Sequence, residues 1–341
     1  MPTMTTTTTT MMMNAVLRKR YGADAASVLE TGEMPRPEIG AGEVLVQVRA
    51  AGLDRGTWHQ MTGLPYAARL AFGLRTPRQP IPGRDLAGVV VEVGDDVTRF
   101  EPGDEVYGTG DGSFAEYAAA AEKRLARKPS NLTFEHAAAV PVSGLTALQG
   151  LVDVGRLEAG RHVLVIGASG GVGTFAVQIA KARGAEVTGV CSTGKVELVR
   201  SIGADDVIDY TRDDFAAGDR RYDLILDIGG SSSLARLRRA LAPRGTLVIA
   251  GGEVGTWLGI GRQLRAVAMS PFTRQRLTML VSKERHDDLE RLTEMIEGGR
   301  VAPVVERIYP LNQAAMAMER LASGQVSGKL VVVPGDSDAA N

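Results

Sequence analysis

The 341-residue sequence has a single cysteine, Cys191. One thiol excludes an intramolecular disulfide and any zinc site built on several cysteines. Net charge is also missing: 39 basic residues against 40 acidic ones give −1, with a pI near 6.5. That balance offers no basic face for nucleic acid and no electrostatic pull toward a membrane surface. No unbroken apolar run approaches the roughly 18 residues of a spanning helix. The opening MPTMTTTTTTMMMN lacks the apolar core of a signal peptide, and its threonine run has nothing to pack. Residues 1–13 are therefore expected to be a disordered tail, or an over-extended start to a chain that begins near Met13. A cytoplasmic protein is the matching expectation.

What is present is apolar content, 44% of a chain long enough for two domains. Residues 161–181 read RHVLVIGASGGVGTFAVQIAK. Val163 to Ile166 form a β-branched run suited to a strand buried on both faces. Gly167, Gly170, Gly171 and Gly173 follow, then Phe175, Ala176, Ile179 and Ala180 at helical spacing. Strand, glycine turn and helix together make a dinucleotide-binding pattern, because a helix N-terminus offers unpaired N–H groups and glycine lets a pyrophosphate approach them. The fingerprint is imperfect: Ala168 stands where its first glycine usually falls. Ser169, Gly170, Gly171, Val172 and Gly173 are the candidate pyrophosphate residues.

On the N-terminal side, residues 42–53 (GEVLVQVRAAGL), 82–108 and 112–120 are short β runs punctuated by glycine, proline and aspartate. Such texture predicts a small, partly open β-barrel. Near Thr133 it changes to alanine-rich helix, capped by Asn131 or Thr133, and Pro141 begins or kinks a second helix. Past the glycine turn, strand and helix alternate through AEVTGVCS, DDVIDY, YDLILDIGG and GTLVIAGG, which predicts a doubly wound parallel sheet. Residues 257–274 are a mixed insertion, 277–281 a candidate sixth strand and 287–296 a helix. A strand (304–308), a helix (312–321) and a strand (329–333) close the chain.

In order and spacing, the 42–53 and 82–108 segments, GSFAEYA, the ASGGVG turn, SIGADDVIDY and GKLVVVP resemble the medium-chain dehydrogenase/reductase superfamily from Ala15 to Val333. The turn and the VCST segment resemble its zinc-independent, quinone-oxidoreductase-like branch. The resemblance implies an α/β fold, a Rossmann sheet (139–285) inserted into a GroES-like catalytic domain built from 14–138 and 286–341. It also implies hydride transfer from a nicotinamide, in a homodimer. Zinc-dependent relatives need a cysteine and a histidine–glutamate pair; Asp54, Arg84 and Asp85 stand in those places here. Asp54, His59 and Asp85 nominally offer donors, but Arg84 repels a cation, so no metal is expected. Arg84 or a backbone group is expected to neutralise the carboxylates.

The second strand ends in Ser192, Thr193, Gly194 and Lys195, without the acidic residue that usually holds a 2′-hydroxyl about 20 residues past the turn. Hydroxyls and a lysine suit a 2′-phosphate, hence NADPH. Tyr210 matches a tyrosine that relatives place beside the adenine ribose. Thr146 matches a threonine near the nicotinamide, or bonds back to the carbonyl four residues before it. Gly251 and Gly252 end the fifth strand at the sheet crevice and are placed on the nicotinamide side, and Gly229, ending the fourth strand, and Lys329, from the closing motif, join the cofactor set. Trp58, His59 and Tyr66 are candidate substrate-lining residues, with His59 or Tyr66 donating to the acceptor oxygen. Trp58 as a core aromatic and His59 as a satisfied polar residue are the open alternatives, while His136 and Cys191 are read as structural. Loops 66–78 and 257–274 are expected to set specificity, and a dimer contact fits the second equally well.

These expectations favour an NADPH-dependent, zinc-independent reductase of a quinone or an α,β-unsaturated carbonyl. An alcohol or aldehyde dehydrogenase and a non-catalytic NADPH-binding partner are the competing functions.

Overall fold

A computed structural model describes residues 11–251 and 259–335. The chain opens with an antiparallel pair, β1 (Met12–Arg18) and β2 (Leu29–Pro35). Met12 and Met13, assigned to the tail by the sequence, are strand residues, and Met13 is buried in the barrel core. Threonine repeats explain the misplaced boundary, since the register of β1 is set by its partner and not by its own pattern. Residues 1–10 of the expected tail lie outside the described residues.

Next come β3 (Glu43–Leu53), helix α1 (Arg55–Thr62), β4 (Asp85–Val93), β5 (Glu105–Thr109), β6 (Tyr117–Ala121) and β7 (Leu125–Arg127). Helix α2 (Phe134–Ala138) starts at Thr133, whose hydroxyl accepts from the His136 amide and so settles the choice of cap. Helix α3 (Pro141–Leu148) has its proline at the first position, where no N–H is needed.

The α/β half follows as β8 (His162–Ile166), α4 (Gly171–Ala182), β9 (Glu186–Cys191), α5 (Val196–Ser201), β10 (Asp206–Asp209), β11 (Tyr222–Asp227), α6 (Leu234–Ala240), β12 (Leu241–Ile249), α7 (Gly261–Met269) and β13 (Arg276–Met279). Helix α8 (His286–Glu297), β14 (Val305–Pro310), α9 (Ala314–Ala322) and β15 (Lys329–Val333) follow, and the last two strands return to the barrel sheet.

Six strands form a parallel sheet in the order β10-β9-β8-β11-β12-β13. The order reverses between β8 and β11, which opens a crevice at the carboxyl ends of those strands. Period-two alternation explains why β8 can be apolar from Val163 on: Val163 and Val165 enter one core, Leu164 and Ile166 another, on the opposite face. The barrel sheet runs β14-β15-β3-β4-β5-β7, with β6 also on β3. Because β15 pairs antiparallel with β3, the chain's last strand is stitched to its first half. The parallel-sheet unit is thus inserted in the barrel domain, as the family resemblance implies.

Candidate functional site

Three glycines of the β8–α4 turn do three different jobs. Gly167 has φ +88°, a left-handed conformation that reverses the chain after β8 and disfavours any side chain. At Gly173 a Cβ would sit 2.0 Å from the Gly167 carbonyl oxygen, so this glycine is required for helix–strand packing. Gly170 is the N-cap of α4 in extended backbone that any residue adopts, and no side chain caps the helix. A Cβ there would meet only the Gly167 oxygen, at 3.6 Å. The turn therefore leaves open space beside an uncapped twelve-residue helix, and a dinucleotide pyrophosphate fits that cradle. Gly171 has a different neighbour, since a Cβ on it would lie 2.9 Å from Lys329 Cδ. Ser169 is buried and its carbonyl accepts from the Gly328 amide at 2.8 Å, which docks the return strand on the turn. Val172 packs against the core.

At the adenine end, Ser192 begins a short 3-10 turn and its carbonyl accepts from the Lys195 amide. The Lys195 ammonium donates to the Val326 carbonyl at 2.7 Å, and burial lowers its pKa. Tyr210 is 59% exposed and its amide donates to Cys191 O, so it stands directly beside the end of β9. Sequence reasoning found no carboxylate here, yet Asp209 pairs in register with Cys191. It accepts from Thr193 Oγ1 (2.5 Å), Thr211 Oγ1 (2.8 Å) and Thr211 N (3.0 Å), and the Thr193 hydroxyl above all keeps its pKa low. Only the order of strands, which no local pattern encodes, brings β10 beside β9. With hydroxyls on both its oxygens, Asp209 organises the turn that carries Ser192 and Lys195.

On the nicotinamide side, a Cβ on Gly167 would approach Gly229 N to 3.3 Å, so the loop after β11 abuts the turn. A Cβ on Gly251 would lie 2.1 Å from Ile228 O, a close approach of backbone to backbone. Gly252 falls outside the described residues. Thr146 donates to Val142 O at 2.6 Å, so in this structure its hydroxyl is turned back on its own helix.

At the substrate end, Asp54 caps α1 through Oδ1, which accepts from the Thr57 amide at 2.8 Å. Trp58 is partly buried against the barrel core, edge-on to His59 with centroids 5.2 Å apart. His59 Nδ1 lies 2.6 Å from Leu64 O. A carbonyl only accepts, so Nδ1 carries the proton. Burial, the leading cause, lowers the pKa of His59 and so disfavours a second proton on Nε2. Tyr66 is 43% exposed, with the Arg69 guanidinium 4.8 Å from its ring centroid.

Of the two partners expected for the carboxylates, the backbone is found and Arg84 is not: Asp54 accepts from the Thr57 amide and Asp85 from the Val142 amide. Arg84 pairs with Glu284, not with Asp85. Asp85, fully buried, accepts from Lys329 Nζ at 2.9 Å and from the Val142 amide at 2.9 Å. Burial pushes its pKa up to about 6 against the pull of Lys329. Lys329, expected on the cofactor, is 2% exposed, and its ammonium is committed to Asp85. Among the described residues, no group of three or more His, Cys, Asp or Glu is placed to hold a metal.

Residues 40–130 match the family model of an alcohol dehydrogenase GroES-like domain, and residues 202–332 that of a zinc-binding dehydrogenase. A chloroplast envelope quinone oxidoreductase homolog of Arabidopsis thaliana is 32% identical over 339 residues, covering 95% of this chain and 99% of its own. The NADPH-dependent alkenal/one oxidoreductase of Arabidopsis thaliana chloroplasts is 35% identical over 336 residues, covering 94% and 80%. Among solved structures, the quinone oxidoreductase from Coxiella burnetii superposes with a TM-score of 0.84 at 27% identity, covering 95% of this chain and all of that one.

Proposed function

The chain belongs to the medium-chain dehydrogenase/reductase superfamily, in its quinone-oxidoreductase-like branch, and from that premise we propose that it is a zinc-independent, NADPH-dependent reductase of quinones or α,β-unsaturated carbonyls. The observation that carries the cofactor assignment is the open cradle at Gly170 beside an uncapped α4. First-turn amides of α4 would hold the pyrophosphate. Ser192, Lys195 and Tyr210 would surround the 2′-phosphate and adenine ribose, and the loops at Gly229 and Gly251 would border the nicotinamide. The bound cofactor supplies a hydride donor.

The protein's own contribution is orientation and exclusion of water. Zinc does not fit the donor set, because both oxygens of Asp85 are taken by Lys329 and Val142 and one oxygen of Asp54 caps α1. An activated alkene or a quinone suits such a site: charge left by hydride addition is delocalised within the acceptor itself, and no metal is needed to polarise an isolated carbonyl. Stopped-flow oxidation of enzyme-bound NADPH by a panel of quinones and enones tests the reading. Rapid oxidation by at least one class is expected, unchanged after chelation; oxidation by neither would overturn it.

A homodimer and a cytoplasmic setting belong to the same proposal. Edge strand β13 has one unpaired side among the described residues, which supports self-association and is checked by light scattering. No helix among the described residues is long and apolar enough to cross a membrane.

A further inference from the structure

Pattern alone assigned residues 257–274 to a pocket wall or a dimer contact, yet the first turn of α7 points inward. Arg262 and Gln263 are each 5% exposed. Arg262 bonds the Asp227 carboxylate and donates to Ser232 O at 3.0 Å. Asp227 ends β11, and its Oδ1 accepts from the Gly230 amide at 3.3 Å. Its backbone oxygen takes the amides of Ala250 (2.9 Å) and Gly251 (3.2 Å). Gln263 Nε2 donates to Gly251 O at 2.9 Å. Two consecutive side chains of one helix thus fasten the loop after β11 and the Gly251 backbone just past β12.

Stability alone does not account for Gln263. Its Oε1 is buried without a partner among the described residues, a desolvation cost that an apolar side chain of similar volume would avoid. The amide cannot be turned over, because Gly251 O only accepts. What the glutamine provides is a fixed position for the Gly251 backbone, at the crevice end of β12.

We propose that Arg262 and Gln263 are positioning residues that hold the loop after β11 and the Gly251 backbone where they border the nicotinamide, without touching the adenosine end of the cofactor. This rests on the nicotinamide reading above. Two ligands separate the ends: NADPH, and 2′,5′-ADP, which has the adenosine and its phosphate but no nicotinamide. In Gln263→Leu, NADPH affinity falls about fivefold, the loss of one neutral hydrogen bond, and 2′,5′-ADP affinity stays within about twofold. Arg262→Lys keeps the charge but not the planar fork and shows the same split with a drop of about tenfold. Affinities that fall together, or not at all, in variants of a wild type that binds both ligands overturn this inference alone. A wild type that binds neither overturns the cofactor reading and this inference with it. Should Gln263→Leu not fold, Gln263→Met decides on the same criteria.

Discussion

Two lysines flank the glycine turn, and the motif pattern gives both to the cofactor. Lys329 is enclosed, its stem against Gly171 and its ammonium on the Asp85 carboxylate. Lys195 lies at the far end of the site, its ammonium on a single backbone carbonyl, Val326, three residues before Lys329. The difference in partner decides what each can do. A buried ion pair neutralises both charges, and opening it leaves an uncompensated carboxylate in the core. A carbonyl neutralises nothing, so the Lys195 charge stays available and a phosphate arriving there is a better partner than the one it leaves. Lys329 is thus a structural pin between barrel and glycine turn, and the role proposed for Lys195 is that of a cation held ready.

Breaking the pin is the largest expected effect. Lys329→Met should cost about 3–5 kcal/mol of stability at pH 8, the range for removing one partner of a buried pair. Urea denaturation of the cofactor-free protein checks this, and Lys329→Met with Asp85→Asn should recover part of the loss. A single variant within about 1 kcal/mol of wild type would mean the pair contributes little.

The pH dependence of that deficit sharpens the point. Asp85 titrates near 6 in the fold, above the ordinary 3.8 of an aspartate, with burial raising it and Lys329 opposing; Asp54 adds a smaller push upward. A raised carboxylate contributes stability that is complete below about pH 4 and lost as pH rises through the folded value. Without Lys329 the folded value climbs further, so the variant gains more than wild type from protonation. The Lys329→Met deficit should therefore shrink on acidification from pH 8 to 5.5, by on the order of 2 kcal/mol. A deficit flat over that range would place its origin in lost packing.

These two lysines also mark where the sequence is legible. Local pattern suffices for β8, for the glycine turn, for Pro141 at the start of α3 and for β15, whose bounds Lys329–Val333 match the reading from sequence. Each depends on neighbours a few residues away. Lys329 with Asp85, Arg84 with Glu284 and Asp209 beside Cys191 are set by strand order and by the chain's return, so spacing carries no trace of them. His59 shows a second limit: its residue type promises a donor, but the Leu64 carbonyl decides which nitrogen holds the proton.

On the cofactor, Lys195→Ala should weaken NADPH by roughly 1.5–3 kcal/mol, the value of a charge-assisted bond, and leave NADH within a few tenths. Fluorescence titration of both cofactors decides it. Equal losses, or a wild-type preference for NADH, would remove the 2′-phosphate from this end of the site.

The smallest expected effect is that of the same substitution without cofactor, and it separates the two lysines most directly. Burial lowers the Lys195 pKa, with Glu306 and Cys191 pulling it up and Arg320 pushing it down. The Val326 carbonyl therefore does not fully offset the desolvation of the ammonium. Holding a four-carbon side chain in one rotamer costs up to about 2 kcal/mol, and truncation returns it. After Lys195→Ala, Val326 O is left without its lysine partner, but water can reach a site that lysine only partly covers. Net destabilisation of the cofactor-free protein should stay below about 1 kcal/mol. Paired urea titrations of Lys195→Ala and Lys329→Met, at one pH and without ligand, give the comparison. If Lys195→Ala loses as much stability as Lys329→Met, then Lys195 is a second pin and its place at the phosphate is lost. If it loses little stability but most of the NADPH preference, the ammonium on a carbonyl is the cofactor's own binding group, and only the ammonium on a carboxylate belongs to the fold.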